Sequence, residues 1–174
     1  VIASGKYSLL SDFREVFSID GENSRESLFE IQCSDLGQST GTDVPYFEYA
    51  YHQGPRGNNP SNMQGWGFCV PSDDLIKFFK DRGETIRPAT TLLYSGTTTP
   101  EGDYISDKCD NPVYNGKVYT PSAYNDWSYN GYGFDHNVRI LRYSDVLLMY
   151  AEAALGAGDE ATARTDINMV RTRV

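Results

Sequence analysis

Cysteine is scarce. The 174 residues hold only Cys33, Cys69 and Cys109, with no CxxC pair and no Cys/His cluster. That spacing gives a zinc site no support. The three thiols fit either one disulfide plus a free thiol or three unpaired thiols acting as small hydrophobes. Histidine is scarcer still. His52 and His136 lie far apart and no G-x-S-x-G elbow accompanies them, so both read as ordinary polar side chains. Positive charge is also short: 15 Lys and Arg stand against 24 Asp and Glu, a net charge of −9. Polyanion binding needs a cationic stripe, so nucleic acids and anionic membrane surfaces are poor partners for this chain. Mean hydropathy is −0.51, and no apolar run approaches the roughly 18 residues of a bilayer-spanning helix. The chain opens on Val1-Ile2-Ala3 without an initiator Met or any signal-peptide pattern, and it stops at Val174 inside a helical pattern without a breaker. The expectation is a piece of a longer protein, truncated at both ends.

Aromatic residues are abundant. There are 13 Tyr, 8 Phe and 2 Trp, 13% of the chain, which argues against disorder of the whole. The length suits one ordinary globular domain. Early in the chain, Gly5 breaks a helical tail, and Leu9, Leu10, Phe13, Val16 and Phe17 are spaced for a short helix over 7–17. Phe29, Ile31 and Cys33 alternate with Glu30 and Gln32, the pattern of a half-buried strand with the apolar residues inward. From Ser34 to Trp66 the pattern dissolves into Gly, Pro, Asn and Ser, yet this stretch carries Tyr46, Phe47, Tyr49, Tyr51, His52 and Trp66. Loops beyond about 15 residues are uncommon unless functional or disordered. Ser72 caps a predicted helix with Asp73 and Asp74 in its first turn, an apolar face of Leu75, Ile76, Phe78 and Phe79, and Gly83 as its stop. A strand is expected over 90–94, then a second long irregular region over 95–134, rich in Tyr and containing Trp127.

The last forty or so residues change character. Ile140, Tyr143, Leu147, Tyr150 and Ala154 form one face of a helix. Gly156 and Gly158 break it, and Asp159 caps a second helix with Ala163, Ile167, Val170 and Val174 inward. So short a connection makes an antiparallel αα-hairpin, and Ala151, Ala153, Ala154, Ala157 and Ala161 permit close approach. The hairpin is tetratricopeptide-like, and alone it cannot bury both of its faces. Arg142 and Asp145 are spaced to pair. Glu152, Asn168 and Arg171 are expected to lock the hairpin. The organisation is thus a loop-rich region over 1–138 with short helices and strands, then a helical hairpin over 139–174.

Several ordered segments carry a family resemblance. Arg142-Tyr143-Ser144-Asp145-Val146-Leu147-Leu148-Met149-Tyr150-Ala151-Glu152-Ala153 resembles the R-x-[AS]-[ED]-V-L-L-x-Y-A-E-A helix of the SusD/RagB family, and Asn168 to Arg173 resembles its N-x-V-R-x-R. Ser24 to Gln32 is similar to the family's N-x-E-S-I-F-E-I-Q strand. Gly65-Trp66-Gly67, Pro71 and Leu75 fit its G-W-G…P-x-x-x-L step, and Ile2 to Tyr7 its opening segment. One departure is the stretch Asp81 to Pro88, where the family often shows a compact D-x-R. The resemblance implies a SusD-like fold, mainly α with long irregular loops and little β. It implies a surface-exposed lipoprotein of the bacterial outer membrane that binds nutrient glycans. It implies a TonB-dependent, SusC-like transporter as partner, no catalysis and no cofactor.

A pyranose offers one face of C–H bonds and a rim of hydroxyls. A flat aromatic ring meets the first and amide groups meet the second. The candidate ligand-binding residues are therefore Tyr49, Tyr51, Trp66, Trp127 and Tyr129, with Asn59 and Asn125, and with Asn58, Gln64 and Asp126 as further polar partners. The competing reading for any one ring is packing beneath its own loop, and for Trp66 this is reinforced by its place in the shared G-W-G step. Glycoside hydrolysis needs two carboxylates at a set separation. Glu30, Glu48, Asp103, Asp107 and Asp126 are available, but nothing in the sequence pairs them. Asp103, Asp107 and Asp110 lack EF-hand spacing and read as a solvated acidic loop. The expected function is non-catalytic capture of an oligo- or polysaccharide for delivery to the transporter. The alternative is a protein-interaction or lid subunit handling peptide or another nutrient.

Overall fold

The structure is a computed structural model that describes residues 1–34, 48–57, 65–124 and 135–174. Its layout follows from one buried carboxylate. Glu26 is almost fully enclosed. Its Oε2 accepts the Leu10 backbone N–H at 2.7 Å. Its two oxygens accept from Arg173 Nη1 at 2.7 and 2.5 Å. Its own carbonyl accepts the Tyr143 N–H at 2.7 Å. One residue therefore ties the N-terminal segment to both ends of the C-terminal hairpin. An unpaired buried carboxylate is costly, and the hydrogen bonds and guanidinium offset that cost only in this geometry.

The N-terminal segment corrects the first expectation. Residues 7–17 do not form a helix. Ser8 N–H donates to the Arg25 carbonyl at 3.0 Å and Leu10 N–H to Glu26, so these donors are engaged by distant partners rather than by a helical ladder. Leu10, Phe13 and Val16 are buried, and only Glu15–Phe17 makes a 3-10 turn.

Strand β1 (Ser27–Ile31) pairs antiparallel with β6 (Val138–Arg142), with register shifts between Ser27 and Glu30. The facing of β1 is the reverse of that predicted. Phe29 and Ile31 are 57% and 41% exposed, whereas Glu30 is 8% exposed. Glu30 goes inward because partners wait there. Asn137 Nδ2 donates to it at 3.0 Å, the Asn23 N–H at 3.2 Å, and Arg139 Nε stands 3.8 Å away.

The stretch expected to be irregular contains a short helix, α1 (Tyr49–Gln53). Helix α2 (Asp73–Asp81) forms as predicted, with Ser72 Oγ accepting from the Leu75 N–H at 3.3 Å. Its Phe79 packs with Leu92 and Val113, with Leu75 and Ile76 against them. Phe78 instead turns outward beneath the Arg82 guanidinium, 3.8 Å from the ring centroid. Thr90 and Thr91 do not begin a strand. They close helix α3 (Ile86–Thr91), where Pro88 sits in the first turn and its missing N–H costs nothing. The strand β2 covers only Leu92–Tyr94.

Of the region 95–134, the described residues 95–124 are likewise less irregular than their composition suggests. Strand β3 (Thr97–Thr98) pairs with β4 (Tyr104–Ile105), and β2 pairs with β5 (Val113–Asn115), both antiparallel. The main core cluster joins Ala50, Leu93, Ile105 and Tyr114, with Tyr51, Cys109 and Val118 packed around it. Tyr114 is fully enclosed, and its hydroxyl donates to the Arg56 carbonyl at 3.1 Å. The three cysteines are all free thiols.

The hairpin is present as α4 (Tyr143–Gly156) and α5 (Glu160–Arg171). Ile140 belongs to β6, not to the helix, so the loop-rich region and the hairpin share a strand that straddles residue 139. Arg142 and Asp145 pair as expected: the Arg142 N–H donates to Oδ2 at 3.0 Å and its guanidinium to Oδ1 at 3.1 Å. The buried face is Tyr143, Leu147, Ala151 and Ala154, and Tyr150 lies outside it. Ala151, Ala154 and Ala163 meet between the helices. Asp159 accepts the Thr162 N–H at 3.0 Å, and this bond holds its carboxyl below the ordinary range. Glu152, Asn168 and Arg171 are exposed. The tie that secures this end is the Arg173–Glu26 pair instead.

Replacing Arg173 with Met should leave the Glu26 carboxylate buried and unpaired, costing roughly 3–5 kcal/mol in urea unfolding. Adding Glu26→Leu should restore most of that loss. A cost for Arg173→Met alone below about 1 kcal/mol, the range of an exposed pair, would show that this pair does not hold the fold.

Candidate functional site

The first site is built on α1 and on the backbone that returns beneath it. Trp66 N–H donates to the Tyr51 carbonyl at 2.9 Å, Gly67 N–H to Gly54 at 3.0 Å, and Phe68 N–H to His52 at 2.9 Å. This approach is close enough to require glycine on either side of Trp66. A Cβ on Gly65 would stand 2.5 Å from the Tyr51 carbonyl oxygen, and Gly67 adopts φ +64 with the Tyr114 ring 3.3 Å from where its Cβ would be. Trp66 and Phe68 nevertheless bring their rings to one side of the segment, with centroids 6.2 Å apart. Trp66 is 41% and Phe68 52% exposed.

The rings form an ordered group. Trp66 and Phe68 lie 6.2 Å apart with planes inclined by 20°. Phe68 and His52 are 6.4 Å apart at 11°. Tyr51 meets Trp66 edge-on at 6.2 Å and 89°, while it also packs on the core cluster. Parallel planes at such separations are displaced sideways, so His52, Phe68 and Trp66 make a stepped surface. The Arg56 guanidinium sits 5.9 Å from the Trp66 ring centroid, and Glu48 approaches His52 Nε2 at 3.3 Å. Tyr49, 49% exposed, opens the same helix.

The second candidate stretch, Tyr124 to Tyr132, lies outside the described residues beyond Tyr124, and the structure describes the residues on either side of 125–134. On the leading side, Asp103 is buried and accepts from the Ser122 N–H at 2.9 Å and from the hydroxyls of Ser122 and Tyr119. Burial and the Asp103 carboxylate push the Tyr119 phenol well above its ordinary value. Tyr124 donates to Asp20 Oδ2 at 3.0 Å. On the trailing side, the Asn137 N–H donates to Glu22 at 2.5 Å, its Oδ1 accepts from the Cys33 N–H at 2.9 Å, and its Nδ2 donates to Glu30 at 3.0 Å. The two sides meet where Thr120 Oγ1 lies 3.4 Å from His136 Nδ1.

His136 is buried beside Arg139, whose Nη1 is 2.7 Å from its Nε2. A guanidinium can only donate, so Nε2 accepts and the ring proton resides on Nδ1. Burial, followed by the Arg139 charge, brings the His136 pKa from 6.5 down to about 3. The ring is therefore neutral and structural. Glu22, close by, is shifted upward by burial.

Set against known families, residues 25–174 match the SusD family. The chain belongs to the SusD family. A SusD-like protein of Bacteroides ovatus is 26% identical over 153 residues, covering 85% of this chain and 27% of that protein. Surface glycan-binding protein A from Bacteroides thetaiotaomicron, solved in complex with laminarihexaose, superposes with a TM-score of 0.77 at 23% identity, over 99% of this chain and 40% of that one. A laminarin binding SusD-like protein superposes with a TM-score of 0.72 at 22% identity, over 97% of this chain and 39% of its own. At these identities the structural likenesses show the fold. This SusD-family chain spans well under half the length of each of these relatives.

Of the residues singled out from sequence, the structure brings Tyr51 and Trp66 into contact and places Tyr49 on the same helix. Asn58, Asn59, Gln64, Asn125, Asp126, Trp127 and Tyr129 lie outside the described residues. The structure adds Phe68 and His52 to this group of rings; from sequence His52 reads as an ordinary polar side chain, and the neighbouring aromatics of Trp66-Gly67-Phe68 were the available signal. Of the carboxylates weighed for hydrolysis, Glu30 and Asp103 are buried in structural hydrogen bonds. Among the described residues no three metal-ligating side chains cluster.

The unfolded chain binds a proton on His136 that the folded chain refuses, so stability should fall as pH drops from about 6.5 towards 3, by up to about 1.4 kcal/mol per pH unit. Between pH 7 and 5, before most carboxylates titrate, urea unfolding of His136→Gln should show a flatter stability profile than the parent. Parallel profiles would mean that the ring is protonated in the fold.

Proposed function

We propose that the protein binds an oligo- or polysaccharide at the bacterial surface without converting it, and passes it to a TonB-dependent, SusC-like outer-membrane transporter. The observation that carries this reading is the stepped, solvent-facing surface of Trp66, Phe68 and His52 beside Tyr49. A soluble chain gains from burying such rings, so their exposure marks a surface that another molecule covers. Sugar C–H faces suit it, and Tyr49, Tyr51, Trp66, Asn59, Asn125, Trp127 and Tyr129 are proposed as the ligand-binding set. Support also comes from relatives whose names state glycan or laminarin binding. Attachment of the full-length protein to the outer membrane through a lipid is part of the same proposal. Each site need bind only weakly, because a polymeric ligand and a tethered partner raise effective concentration.

A second role is favoured by the outer surface of the hairpin, where Met149, Tyr150, Leu155 and Met169 are exposed. That face suits docking of protein, with the cargo a glycan or a peptide. Pull-down from outer membranes with the loop aromatics replaced separates the roles: an unchanged partner with unchanged uptake favours docking alone.

Isothermal titration of the full-length protein against a glycan panel that includes laminarihexaose should reveal at least one ligand. Tyr49→Ala, Trp66→Ala or Trp127→Ala should each weaken it about tenfold, ~1.4 kcal/mol. If no glycan binds, or if binding survives all three replacements, the sugar reading fails.

A further inference from the structure

A cleft of about 570 Å³ lies between the hairpin, α3, the turn that follows α2, the N-terminal segment and the 3-10 turn Gly116–Val118. In a chain of net charge −9 its lining carries six cations: Arg82, Arg87, Lys117, Arg142, Arg171 and Arg173. They come from five separate places in the sequence, so the concentration of charge is a product of the fold. Three are matched by carboxylates: Arg87 pairs with Glu84, Arg142 with Asp145, and Arg173 with Glu26. The other three have no carboxylate partner among the described residues. Arg82 rests on Phe78. Lys117 Nζ is held over the rings of Phe17 and Phe13, 4.6 and 5.5 Å from their centroids.

The cleft also keeps donors in reserve. Arg87 Nε, Arg173 Nε and Ser144 Oγ are buried with no hydrogen-bond partner, and each such group carries a desolvation cost. Burial, and then the neighbouring Arg142 and Arg87, draw the Lys117 ammonium below its ordinary 10.5. Cations crowded together in a half-enclosed space, with spare donors and two aromatic rings beneath, are electrostatically complementary to an oxyanion. The apolar share of the wall, from Phe13, Phe17 and Leu148, suits a group that brings a ring or carbon chain with its charge.

We propose that this cleft is an oxyanion site, separate from the aromatic surface, that seats a carboxylate, sulfate or phosphate between Lys117 and Arg171. The anion has two available sources: a free ligand such as an acidic sugar, or a carboxylate side chain elsewhere in the full-length protein. Either would neutralise the excess cations and satisfy the reserve donors.

Lysine NMR on the full-length protein, with the Lys117 signal assigned through Lys117→Arg, tests both sources. Glucuronate, sulfate and phosphate are titrated against chloride at matched ionic strength. For a free ligand, at least one probe should saturate and raise the Lys117 pKa by a unit or more, and Arg171→Gln should weaken that probe about tenfold. For an internal carboxylate, no probe should bind, and Lys117 should already titrate above 10.5 without added anion. A Lys117 that titrates below 10.5 without added anion and that no probe shifts upward overturns the proposal. The readout is local to Lys117, so its failure and the failure of glycan binding are distinguishable.

Discussion

Glu26 is the constraint on which the rest depends. A carboxylate removed from water must be met by donors, and here they arrive from Leu10 in the first segment and from Arg173, 147 residues later. Its backbone carbonyl meanwhile receives the first N–H of the long helix, from Tyr143. The arrangement fixes where α4 starts and where α5 ends relative to β1. Glu30 repeats the device two turns of pleat further along, drawing in Asn23, Asn137 and Arg139. The inner layer beside the β1–β6 ladder is thus ionic and amide-rich rather than oily. Such pairs contribute less net stability than an apolar core of equal volume, but they are intolerant of misplacement.

The candidate ligand surfaces hang from this frame. The Tyr114 hydroxyl and ring organise the residues 54–57 and 65–68, so the chain that carries Trp66 and Phe68 is pressed against a rigid core while the rings face outward. The residues before and after 125–134 are held in two buried polar knots, one around Asp103 and one around Asn137, that meet at Thr120 and His136. Binding residues on loops need such footings, because ordering the loop at the moment of binding would consume much of the contact energy.

Much was legible without coordinates. The capped helix α2, the alanine-lined hairpin and the Arg142–Asp145 pair all follow from local rules of capping and periodicity. The ordered motifs that point to the SusD family include both Glu26 and Arg173, although nothing in the sequence says that they touch. Tyr49, Tyr51 and Trp66, selected on chemistry alone, fall on one short helix and against it. The failures share a cause. The helix expected over 7–17, the inward Phe29 and Ile31, and the irregular region after residue 95 were all judged from side-chain patterns. Each was decided instead by partners distant in sequence: backbone donors captured by Glu26 and Arg25, charges waiting for Glu30, and short ladders closed across the chain.

The sequence by itself determined the helical hairpin, the turn-rich aromatic composition and the excess of acid, because these rest on nearest-neighbour sterics and on counting. Only the tertiary structure decided which aromatics face water and which carboxylates are spent on structure. It alone also gathered six cations of an acidic chain around one cleft. Desolvation and Coulomb energies depend on distances in space, and the residues that set them here stand as many as 147 positions apart.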